Sequence, residues 1–304
     1  MSTEEPVTLN AIVGASEVDR QRAAAELAVQ RAERFAVLKK KPAFLVGAAI
    51  TLFWFVCALF GTWIAPKDPL AQDLINKLKG PSGSHWFGTD VLGRDVFSRV
   101  IVGARVILLI ALGATIMGTI LGTMVGLVAG YFKGIIDDII MRIADVFMSL
   151  PVLVFALLVI ATVGSKSSLI VLVIIGTVYT PIIARTVRAT VLGEAELDYV
   201  AAARLRTEKT PHILFVEVLP NIIPPLLVEF TVRLGYAIFA VATLSFLGAG
   251  VSAESPDWGS QVAAHYKYLN GLNISATLFP ALAIATLAIG INLMVDALVE
   301  VFER

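Results

Sequence analysis

Two pairs of opposite charges sit in otherwise apolar stretches of this chain. Arg142 and Asp145 are three residues apart, and Glu229 and Arg233 are four apart. At these spacings side chains meet on one helix face, and Glu ahead of its cation is the favourable order. Ionisable groups at membrane depth are expensive and are functional candidates by default. Pairing lowers the cost, so both are candidate intramembrane ion pairs with a structural role. A third set, Asp90, Arg94, Asp95 and Arg99, alternates in sign and can cross-pair. Gly88, Gly93, Gly103, Pro256 and Gly259 punctuate the loops around this set and around Trp258. These loops read either as solvated connectors or as a face on which another protein docks. Catalysis has little material. Cys57 is the one cysteine, which excludes an intrachain disulfide or a thiolate metal site. His85, His212 and His265 are far apart. No G-x-x-x-x-G-K-[ST], G-x-S-x-G or H-E-x-x-H occurs, so no phosphate loop, nucleophile elbow or zinc helix is encoded. The chain reads as non-catalytic, with no cofactor or metal of its own.

The elements that carry these charges are membrane elements. Of 304 residues 57% are hydrophobic and 16% charged, against about a quarter charged in ordinary soluble domains; mean hydropathy is +0.83. A helix crosses the hydrocarbon core with roughly 20 apolar residues, and lipid admits no irregular backbone. The sequence therefore predicts an all-α protein with six spans, at 43–65, 103–130, 139–163 with Pro151 inside it, 169–184 with Pro181 near its end, 222–250 starting at Pro224 and Pro225, and 278–299. The polar first 42 residues make the first span a retained anchor rather than a cleaved signal. Within them 17–41 predicts a helix and 1–15 no regular structure. With the amino terminus inside, the inner segments hold about twice as many Lys and Arg as the outer ones, so both termini are expected in the cytoplasm. Net charge is zero, and the inner loops are too sparsely basic for a nucleic-acid surface.

Two patterns bear on mechanism. Gly118, Gly122, Gly126 and Gly130 form a ridge on the second span, where a helix of this chain or of a partner can approach closely. The inner segment 185–220 is too long for a plain connector. Asp198 predicts the cap of a helix with Val200, Ala201, Ala202, Ala203 and Leu205 as its small apolar face. Thr210 and Pro211 predict the start of a second short helix, ended by Leu219-Pro220-Asn221. A small-faced helix of this kind fits a groove in another protein and can transmit rigid-body movement.

The stretch Tyr199-Val200-Ala201-Ala202-Ala203-Arg204, followed sixteen residues after Ala203 by Leu219-Pro220-Asn221, resembles the "EAA" loop of permease subunits in bacterial ABC importers. Phe87-Gly88-Thr89-Asp90, Leu92-Gly93-Arg94-Asp95, Ser98-Arg99 and Gly103-Ala104-Arg105 resemble the C-type permease of oligopeptide, dipeptide and nickel importers. So do Met141-Arg142 with Asp145 and Pro151, Leu244-Ser245-Phe246-Leu247-Gly248 with Pro256, Trp258 and Gly259, and then Phe279-Pro280, Asn292 and Asp296. The resemblance spans about residues 40–304. It departs from the family at Ala201, where the motif's glutamate is expected, at Thr207 in place of a glycine, and at Val241 in place of a glutamate. Thr207 is compatible with the loop if the turn there does not require positive φ.

The resemblance implies a type I permease: 1–42 a cytoplasmic segment, 43–65 the first anchor, 66–102 an external loop, and 103–304 a transmembrane domain holding the coupling loop 185–220. It implies a second related permease as heterodimer partner, two ATP-binding subunits inside that bind the ATP and Mg, and a solute-binding protein outside. The setting is a bacterial or archaeal cell membrane. Ala202, Ala203, Arg204, Thr207, Leu219 and Pro220 become the expected contacts to the ATP-binding subunit, and Asp90, Arg94, Asp95, Arg99 and Trp258 the expected docking loop for the binding protein. Peptides are the expected cargo, with nickel chelates or another small solute as the alternative. A secondary transporter driven by an ion gradient would need unpaired buried carboxylates and inverted repeats; a scaffold would not need a coupling loop.

Overall fold

A computed structural model describes residues 37–38, 40–164, 167–250, 254–269 and 274–302. The stretch 1–15 and nearly all of the expected 17–41 helix lie outside the described residues. The chain runs α1 (Pro42–Ile64), α2 (Val96–Phe132), α3 (Gly134–Met148), α4 (Val152–Val163), α5 (Ser168–Glu194) and α6 (Asp198–Leu205). A turn at Thr210–His212 and a π-helical turn at Ile213–Val218 lead into α7 (Leu219–Phe246), followed by α8 (Trp258–His265) and α9 (Ser275–Phe302). Among the described residues β pairing is limited to the isolated bridge between Thr89 and Asp95.

Five helical runs are long and apolar enough to cross a membrane: α1, α2, α5, the continuous Thr210–Phe246, and α9. The expected third span is not one helix. It is the pair α3 and α4, bent by 81°. Pro151 causes the break, because it lacks an N–H and disfavours helical backbone at Leu150; α3 stops at Met148 and α4 starts after Pro151. Four other prolines do less than expected. Pro181 lies inside α5, which continues to Glu194, because spanning helices tolerate proline where neighbouring groups recover the freed backbone. Pro220, Pro224 and Pro225 lie in one run from Thr210 to Phe246. There the π turn shifts the ladder, with Leu219 N–H donating to Leu214 O, and the Asn221 side chain donates to the Glu217 carbonyl at 2.9 Å. Leu219-Pro220-Asn221 therefore continues a helix that was expected to end there.

The centre of the bundle is the seam between α2 and α5. A Cβ added at Gly118, Gly122, Gly126 or Gly130 would lie 2.7–2.9 Å from Tyr179, Ile183, Val187 or Val191 respectively. Each glycine meets the next turn of α5, so the ridge packs inside this chain. On the far side α1 crosses α9, where a Cβ at Gly47 would lie 2.5 Å from the Gly290 carbonyl. Trp54 fixes that crossing, donating to Thr286 Oγ1 at 3.1 Å and meeting Trp258 edge-on at 4.7 Å. Leu52, Leu59 and Trp63 of α1 point outward, as a lipid-facing surface requires.

Candidate functional site

At one end of the bundle α6 stands between α5 and α7. Its N-cap is Leu197, not Asp198, which occupies the first turn. There its negative charge faces the positive helix end, and Arg204 sits in the last turn. Val200 and Ala203 are buried against the Ile213, Leu214 and Val218 face of the π turn. Tyr199 donates from its hydroxyl to Glu194 at 2.7 Å, and burial, then this bond, push the phenol up to about 12. Thus α6 is bolted to its own chain on one side. Ala203, expected as a partner contact, is fully buried inside the chain. The outward face is Ala201, Arg204 and Leu205, with Leu205 86% exposed. Successive helical residues turn by about 100°, which puts 200 and 203 on one side and 201 and 205 on the other. The apolar residues of α6 thus divide between two sides and do not form the single face that their run in sequence suggests. Ala202 and Leu219 are half-buried and Pro220 is exposed.

The turn after α6 explains where the family's glycine belongs. Thr207 N–H donates to the Arg204 carbonyl at 2.9 Å and Glu208 N–H to the Ala203 carbonyl at 3.2 Å. This is the Schellman arrangement, which requires a left-handed residue just past the cap. Thr207 is that residue, at φ +58°. The turn does require positive φ, and a β-branched side chain is held there. Beyond it, Arg206 links Glu208 at 2.7 Å and Glu217 at 3.2 Å. Glu208, His212 and Glu217 bring possible metal ligands within 4.8 Å of one another. Arg206 already occupies both carboxylates, so the cluster is a salt network. Arg204 lies over the Tyr131 ring at 4.9 Å.

At the opposite end the charged motif is an interior scaffold. Asp90, Arg94, Asp95, Arg99 and Trp258, expected as an exposed docking loop, are all buried, with their polar groups turned into the chain. Each finds a partner within the chain. Asp90 accepts from the backbone N–H of Leu92 and Arg94 at 2.8 and 2.9 Å and from Arg94 Nε at 2.6 Å. Asp95 caps α2 by accepting from Ser98 N–H at 2.8 Å and its hydroxyl at 2.7 Å, and meets His85 at 2.9 Å. Arg99 reaches two loops, donating to the carbonyls of Pro69 at 2.9 Å and Ser255 at 3.0 Å. Trp258 donates to the Val100 carbonyl at 2.8 Å, in a space open only because Gly103 has no side chain; a Cβ there would lie 2.2 Å from the Pro256 carbonyl. His265 was not singled out by sequence. Its Nδ1 lies 2.6 Å from the Gln261 carbonyl, which can only accept, so Nδ1 carries the proton and Nε2 accepts from Val91 N–H at 3.4 Å. Burial holds its pKa below the ordinary 6.5.

In the spanning region Glu229 and Arg233 pair at 2.6 Å. Arg142 and Asp145 do not pair. Asp145 meets Arg185 of α5, Asp137 meets Arg188, and Arg142 is exposed with no ion-pair partner among the described residues. Both arginines of α5 draw carboxylates from α3, which pins the bent span.

Residues 122–304 match the family described as binding-protein-dependent transport system inner membrane component, and residues 30–81 the N-terminal transmembrane domain of oligopeptide transport permease C. A dipeptide transport system permease protein of Alkalihalophilus pseudofirmus is 34% identical over 89% of this chain and 88% of its own. A glutathione transport system permease protein of Shigella flexneri is 38% identical over 85% of each. The fold is also that of a solved inward-facing MetNI methionine ABC transporter chain, with a TM-score of 0.55 and 21% identity over 68% of this chain and 97% of that one. The chain belongs to the binding-protein-dependent inner membrane components, as a non-catalytic C-type permease of the ABC importers.

Proposed function

We propose that this permease carries small peptides into the cytoplasm as one half of a two-permease path, driven by two ATP-binding subunits, one of which seats on α6. The observation that carries the coupling role is the two-sided character of α6, buried through Val200 and Ala203 and bare at Leu205. A helix rigidly fixed to α5 and α7, with a leucine standing in solvent, suits a groove in another subunit. Movement of that subunit is then handed to two spanning helices at once. ATP drives the change only by its different affinity for the two states. In this orientation the α6 end is cytoplasmic, and the end built on Asp90 and Arg99 faces the solute-binding protein. Peptide cargo is supported by relatives named for dipeptides and for glutathione; glutathione, a γ-linked tripeptide, is the second reading.

The test is Leu205→Glu in the complete importer. A charge in the groove should abolish ATP-dependent peptide uptake and detach the ATP-binding subunits in mild detergent, at unchanged permease abundance. Wild-type uptake would remove α6 as the coupling element. Ala203→Glu is the wrong probe, since it places a charge inside this chain and should lower permease abundance instead.

A further inference from the structure

Glu229, Arg233 and Tyr236 form one stripe along α7. At 1.5 Å per residue, Tyr236 and Arg233 stand about 15 and about 20 Å from the Phe246 end of that helix, inside a hydrocarbon core about 30 Å thick. Tyr179 of α5 lies within electrostatic reach of both and is about 17 Å from the Ser168 end of its own helix. Two antiparallel helices thus give the same depth.

The stripe is not satisfied within the chain. Arg233 donates from Nε to Glu229 at 2.6 Å and lies over the Tyr236 ring at 5.6 Å. A guanidinium has five N–H donors. Among the described residues its terminal amino groups have no hydrogen-bond partner, and they are not sealed inside the chain. Tyr236 is 59% exposed, and its hydroxyl has no partner among the described residues. Lipid tails accept no hydrogen bond, so open donors at this depth face water or a polar solute.

We propose that Arg233 and Tyr236 line the aqueous path and contact the carboxylate of the passing solute, with Glu229 as resident counter-ion. The identity of that solute rests on the peptide reading above, since a peptide presents a terminal carboxylate. The planar guanidinium matches a carboxylate through two N–H groups. Glu229 holds Nε and competes for the same charge, so the contact is brief. A station on a path must bind weakly enough to release.

The test uses the complete importer in liposomes. Cys57→Ala leaves this chain without a thiol, and Tyr236→Cys or, as a control, Ser84→Cys is then added. A charged thiosulfonate reagent modifies thiols in water, not in lipid or a dry interface. We expect Tyr236→Cys to be modified, as the exposed loop control is, and saturating transported peptide to slow the modification several-fold. An unmodified Tyr236→Cys beside a modified control overturns the path assignment. Modification that a transported peptide leaves unchanged overturns the carboxylate contact. An importer that carries no peptide sinks the peptide reading alone, because modification of Tyr236→Cys still reports a wet path. The double variant Glu229→Gln, Arg233→Gln leaves no buried unpaired ion. We expect it at wild-type abundance with uptake reduced about tenfold; undiminished uptake overturns the contact.

Discussion

Thr207 is held at φ +58° by the hydrogen bonds that close α6. The left-handed region costs an L residue roughly 1–2 kcal/mol, and a β-branched one is an outlier there. Thr207→Gly should therefore raise stability by about 1 kcal/mol, less than the full strain because glycine loses more chain entropy on folding. The thermal midpoint of the detergent-solubilised importer reads this, and an unchanged or lower midpoint would mean the turn is not strained. Sequence could flag the position, since a glycine was expected, but not the sign of φ, which the backbone bonds of Arg204 and Ala203 set. His265 gives a second residue-level expectation. Its folded pKa lies below 6.5 chiefly through burial; Asp90 opposes that shift and Arg99 and Arg94 add to it. The unfolded chain then binds more protons as the solution is acidified, so stability is fully present above pH 6.5 and is lost as pH falls below it. The midpoint should drop between pH 7 and 5, and His265→Gln should flatten that dependence. A pH slope unaltered by His265→Gln would place the titration elsewhere.

At the scale of elements, the α2–α5 seam sets how close two helices come. A Cβ at Gly126 would lie 2.6 Å from the Ala184 carbonyl and 2.7 Å from Val187 Cβ. Gly126→Ala is thus an overpacking change, expected to cost about 1–3 kcal/mol, seen as a lower midpoint and reduced abundance in the membrane. No loss would mean the helices can part. The four-residue glycine period was legible in sequence, and so were five of the spans, because apolar length is a strong signal. The bend between α3 and α4 was not. Pro151, Pro181 and Pro224 look alike in sequence, yet the first ends a helix and the others lie within one. Neighbouring carbonyl partners decide which, and those belong to the tertiary structure. The same limit hid the true charge pairs: Asp145 is three residues from Arg142 but meets Arg185 across the helix packing.

Across the whole molecule, membership of the family was written in the glycine, proline and charged motifs of the loops, and their physical job was not. Asp90, Arg94, Asp95 and Arg99 read as a polar face because alternating charge usually means solvent. Only the folded chain shows all four buried, Arg94 and Arg99 beside Asp90, and Asp95 on His85. That closure also has a place in time. Arg99 waits for Ser255, 156 residues later; the Val100 carbonyl waits for Trp258, 158 later; and Trp54 waits for Thr286, 232 later. A ribosome delivers a chain from its amino end at about 5–20 residues per second. The cap consequently stays open until synthesis is nearly complete. Until then Asp90 and Arg99 remain reachable by proteases and chaperones on their side of the membrane. A nascent chain released before Trp258 would carry its best-made charges unburied, a mark by which unfinished permease can be told from finished.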